Sequence, residues 1–66
     1  MVVEIVLRRR DDDALWRASV EAFKVVIECE DFDVCIDNAV AAVYAAAAKM
    51  LRPPRSMSFR TRRKNW

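Results

Sequence analysis

The sequence predicts a mainly α fold: a short N-terminal strand, then an antiparallel two-helix hairpin, assembled as a dimer or higher oligomer, with an extended basic C-terminal tail. Three observations lead there. The ten residues Ala39 to Ala48 carry no charge, are rich in alanine and hold a single hydroxyl, on Tyr44. Upstream, Arg17, Glu21, Lys24 and Glu28 recur at spacings of four, three and four, a narrow charged stripe along an otherwise apolar stretch. At the other end, residues 52–66 hold six basic side chains and no acidic one.

Val2 to Arg8 alternates, with Val3, Ile5 and Leu7 on one side and Val2, Glu4, Val6 and Arg8 on the other. That β-branched period of two predicts a strand. A lone strand leaves a row of unpaired amides and carbonyls, so its expected mate is the same strand of a second copy. Asp11, Asp12 and Asp13 follow as a helix start, where carboxylates meet the positive end of the helix dipole.

The first helix is expected over Ala14 to Cys29, with Arg17–Glu21 and Lys24–Glu28 as i,i+4 pairs. Leu15, Trp16, Val20, Phe23 and Ile27 cover most of its circumference, which calls for apolar neighbours on more than one side. The alternation Lys24 to Glu30 and the β-prone run Val25-Val26-Ile27 also admit a strand in its second half, yet no glycine separates the two halves. Glu30 to Asp33 reads as the inter-helix turn. The second helix is expected over Asp33 to Leu51, capped by Asp33 or Asp37 and ended by Pro53-Pro54. Ile36, Val40, Val43, Ala47 and Met50 make its packing seam. The predicted order of strand, helix and helix resembles ribbon-helix-helix repressors. The long first helix, the glycine-free turn and a strand offering only Glu4 and Arg8 to bases depart from that family, and the chain is not assigned to it.

The organisation expected is one oligomerising core, residues 1–52, and a basic extended segment, residues 53–66. A chain of 66 residues buries only about 60% of its unfolded surface, so a partner is a natural source of extra stability. The net charge of +2 conceals −4 over residues 1–51 and +6 over residues 52–66. The longest uncharged run is far short of the roughly 20 apolar residues of a membrane span, and a cytoplasmic setting with no membrane partner is expected.

Chemistry is sparse. Without histidine there is no Ser-His or Cys-His pair, and without glycine no phosphate-cradling loop. The expectation is a protein that is not an enzyme and has no catalytic, cofactor or metal site. The acidic run from Asp31 lacks the glycine and the terminal glutamate of a calcium loop. Cys29 and Cys35 lack the spacing and extra ligands of a zinc site and read as small buried residues.

The tail carries the functional expectation. Arg55, Arg60, Arg62, Arg63 and Lys64 are interleaved with Phe59 and Trp66, and arginine forks match phosphates while exposed rings stack on bases. The expected function is therefore binding of nucleic-acid phosphates by the tail of a small helical oligomer. The alternative is a protein–protein module, an assembly subunit or small inhibitor, docking a protein partner through the apolar first helix. Val3, Ile5, Leu7, Trp16, Phe23, Val40, Val43, Ala47 and Met50 are the expected oligomer interface.

Overall fold

The computed structural model describes residues 1–9 and 14–65. The Asp11–Asp13 helix start and Trp66 fall outside them. In chain order the elements are β1 (Val2–Arg9), β2 (Trp16–Val20), a 3-10 turn (Glu21–Phe23), β3 (Val25–Cys29), α1 (Phe32–Ala48) and β4 (Ser58–Asn65). The four strands form one mixed sheet in the order β3-β2-β1-β4, with α1 over one face. β1 and β2 pair antiparallel, as do β2 and β3, whereas β4 runs parallel to β1 along its whole length, from Val2 opposite Ser58 to Arg9 opposite Asn65.

The mainly α hairpin is thus corrected to a sheet with a single helix. The expected first helix, 14–29, is the hairpin β2–β3. Its charges at 17 and 28 do share a helical stripe, but they also sit directly opposite each other in a hairpin, and the structure uses that second coincidence: Arg17 is in register with Glu28. Trp16, Ala18 and Val20 then share one face with Val25, Ile27 and Cys29. The β-branched run at 25–27 favours this solution. The turn manages without glycine because Lys24 takes the left-handed conformation, φ 53° and ψ 41°, and its N–H donates to the Glu21 carbonyl at 3.2 Å. A lysine there costs on the order of 1 kcal/mol, which the paired strands on either side offset.

The spine helix forms, shifted toward the N-terminus. Its cap is Asp31 rather than Asp33 or Asp37: the Asp31 carboxylate accepts from the N–H groups of Asp33 (2.9 Å) and Val34 (3.3 Å). Its last turn closes at Ala48, several residues before Pro53. Cys35, Ala39, Val43 and Ala47 are its buried positions. Ile36 and Val40 of the expected seam lie on its flank, half-buried, and Met50 is exposed past its end.

Both sides of β1 are occupied within the chain, by β2 and by β4, so its mates are not a second copy. Val3, Ile5 and Leu7 of β1, Trp16, Ala18 and Val20 of β2, and Cys35, Ala39 and Val43 of α1 form the core. Alanines at 18 and 39 let the helix approach the sheet closely, and Phe23, Val40 and Phe59 close the margins half-buried. The expected interface residues Val3, Ile5, Leu7, Trp16, Val43 and Ala47 are thereby buried inside one copy.

Candidate functional site

With α1 on one face, none of the described residues covers the other face of the sheet. Every second residue of each strand points there. β1 contributes Val2, Glu4, Val6 and Arg8, β2 contributes Arg17 and Ser19, and β3 contributes Val26 and Glu28. β4 contributes Ser58, Arg60, Arg62 and Lys64 by register with Val2, Glu4, Val6 and Arg8. A shallow groove of about 510 Å³ runs over this face, lined by Val2, Glu4, Val6, Arg8, Ser19 and Lys64 together with Glu21 and Ala22 of the turn.

Register organises the charge. Lys64 stands beside Arg8, and Arg8 beside Arg17, so three neighbouring strands present cations in one transverse row that ends at Glu28. Adjacent strands lie about 4.8 Å apart. Along β4, Arg60, Arg62 and Lys64 repeat every second residue, a step of about 6.6 Å. Two ion pairs on this face are loose: Arg62 to Glu4 at 3.9 Å and Arg17 to Glu28 at 3.8 Å, each between side chains roughly half exposed. Such surface pairs hold their partners weakly and leave them able to exchange a carboxylate for another anion.

The helix-side face of β4 does something different. Arg63, opposite Leu7, lays its guanidinium carbon 4.9 Å from the ring centroid of Trp16 and 5.8 Å from that of Phe32. Trp16 and Phe32 themselves meet edge to face at 4.8 Å, and Arg9 approaches the Trp16 ring at 5.5 Å. Phe59 packs its ring 5.6 Å from that of Tyr44. These contacts pin the edge strand to the body, and its start is fixed by the Ser58 N–H donating to the Met1 carbonyl at 3.0 Å.

The residues expected from the tail are therefore divided by the strand. Arg60, Arg62 and Lys64 come together on the open face; Arg63 and Phe59 face the helix layer; Arg55 is exposed in the connection before β4. Arg8 and Arg17 join the row without belonging to the tail. The alternation of β1 already put Arg8 on its polar side, whereas Arg17 was hidden by reading β2 as helix. No family model matches the chain, and neither a curated protein nor a solved structure shows significant similarity to it.

Elsewhere the functional groups are few. Cys29 and Cys35 are free thiols. Cys35 is buried, with its sulfur 3.6 Å from the carbonyl oxygens of Trp16 and Ile27, and burial, reinforced by the neighbouring Cys29 thiol, pushes its pKa up to about 11. Asn38 Nδ2 donates to Cys29 Sγ at 3.5 Å. Among the described residues there is no metal-holding cluster of histidine, cysteine or carboxylates, and no helix long and apolar enough to cross a membrane.

Proposed function

We propose that this chain binds the phosphate backbone of nucleic acids through the uncovered face of its sheet, without catalysis. The observation that carries the reading is the cation row Lys64–Arg8–Arg17, held in register across three strands. Like charges placed opposite one another on neighbouring strands are unfavourable by themselves. A polyanion laid over them turns that repulsion into attraction. The ladder Arg60, Arg62 and Lys64 meets it with a repeat comparable to the spacing of successive phosphates along a strand, and arginine supplies the bidentate fork that phosphate oxygens accept.

The mechanism is electrostatic. Bound counterions leave the nucleic acid as the cations approach, and Glu4 and Glu28 release Arg62 and Arg17 to the incoming phosphates. The contacts go to the backbone, so the binding has little sequence preference. Docking through an apolar first helix has no helix to use in this fold and is set aside.

Fluorescence anisotropy of a labelled oligonucleotide, titrated with protein at several salt concentrations, tests the reading. The expected log–log slope of affinity against salt is about −3 to −5 per chain, as for several neutralised phosphates. A slope near zero, or no retention at low salt, rejects it.

A further inference from the structure

The second edge of the sheet, β3, is built for a partner. Its five residues hold one charge, Glu28, and no proline or bulge. On the helix side Val25, Ile27 and Cys29 remain half-buried, while their β2 neighbours Trp16, Ala18 and Val20 are fully covered. Val26, on the open face, is 61% exposed. An edge this apolar and unguarded invites another strand.

We infer that β3 pairs antiparallel with β3 of a second copy about a two-fold axis at Ile27, giving a continuous eight-stranded sheet. A two-fold axis perpendicular to the sheet keeps both copies' faces aligned, so it must pass through a residue position rather than between two. Centring on Glu28 would oppose that carboxylate with itself, and centring on Val26 would leave only residues 25–27 paired. Centring on Ile27 pairs all five strand residues, with Val26 opposite Glu28. It also sets Lys24, just before the strand, against the partner's Glu30, just after it. Both are exposed, and the symmetry makes that opposite-charge pair twice.

The helix layer agrees independently. The Asn38–Cys29 contact shows which flank of α1 overhangs β3, and that flank presents Asn38, Ala42 and Ala45, small or uncharged, with Asn38 and Ala45 exposed. The helix lies chiefly over β2 and β3. With strands about 4.8 Å apart, two copies set their helix axes roughly 10 Å from each other, the distance at which helices with small side chains pack. The pairing also places both basic open faces on one side of the assembly, with the two β4 strands at its outer edges.

The test is sedimentation equilibrium at micromolar concentration on wild type, Lys24→Glu, Glu30→Lys and the double exchange. The wild type should sediment at twice its 7.7 kDa chain mass. Each single charge reversal should weaken dimerisation roughly ten-fold, because the repulsion occurs twice by symmetry, and the double exchange should restore it. Val26→Glu, which faces Glu28 of the second copy, should also dissociate the dimer, while Val26→Lys should not. Circular dichroism confirms that each variant is folded. A monomeric wild type, or single reversals that dimerise as well as wild type, overturns the inference. Neither result touches the phosphate-binding reading, which uses the open face of the sheet within one chain and is read by salt dependence.

Discussion

The two edges of the sheet solve the same problem in opposite ways. β4 presents eight residues with Arg60, Arg62, Arg63 and Lys64 and no carboxylate, so another copy of itself is repelled while an anion is drawn in. β3 presents five residues with Glu28 as its only charge. Charge guards one edge and leaves the other open. The inner sides differ as well. β4 is held by rings and a guanidinium near the margin of the helix layer, whereas β3 lies directly beneath α1. What this teaches is that the basic segment is not an appendage. It is a structural strand: Phe59 and Arg63 on its inward side do the holding, while Arg60, Arg62 and Lys64 face outward.

Deletion of residues 58–66 should have the largest effect. β1 then loses a partner along its whole length and Val3, Ile5 and Leu7 lose the cover of Phe59. A 57-residue remnant with an exposed central strand should show no cooperative thermal transition by circular dichroism. A cooperative melt close to that of the full chain would mean that the strand is dispensable.

A finer division lies within β4. Arg63→Ala removes the guanidinium from Trp16 and Phe32 and should lower stability by about 0.5–1 kcal/mol. Arg60→Ala, on the open face, should change it by less than about 0.5 kcal/mol. Urea unfolding of both variants decides, and equal losses would erase the distinction between a holding side and a binding side.

A pH-dependent effect concerns the β3 side. Cys35 keeps its proton in the folded chain to about pH 11, against an ordinary value of 9.0 once unfolded. The unfolded state therefore loses that proton first. The contribution is intact below pH 9 and is lost as pH rises toward 11. Wild type should lose more stability than Cys35→Ala across that window in urea unfolding, and parallel pH profiles would contradict the burial of the thiol.

How much of this was legible follows from period and phase. The β-branched alternation Val2–Arg8 and the uncharged run 39–48 favour strand and helix, and both elements formed. Residues 14–29 have two. A stripe at 17, 21, 24 and 28 satisfies a helix, and the same residues satisfy a hairpin whose turn happens to need no glycine, since Lys24 accepts a left-handed backbone. Long-range pairing decided between them, and periodicity does not carry that information. β4 was hidden for a related reason: within it only Phe59 is apolar, with Met57 just before it, and its strand character comes from β1 lying beside it. The basic residues themselves were plain in the sequence. Their division into two faces, and the recruitment of Arg8 and Arg17, came only with the register.

If phosphates meet the row Lys64–Arg8–Arg17, neutralising a charge within that row weakens binding and neutralising one outside it does not. Salt titrations by anisotropy should be run on wild type, Lys64→Gln, Arg17→Gln and Arg55→Gln. Each of the first two substitutions should weaken binding and lower the magnitude of the salt slope by about one. Arg55→Gln, away from the row, should leave the slope unchanged. If Arg55→Gln lowers the slope while the two row substitutions do not, the open face is not where the backbone lies.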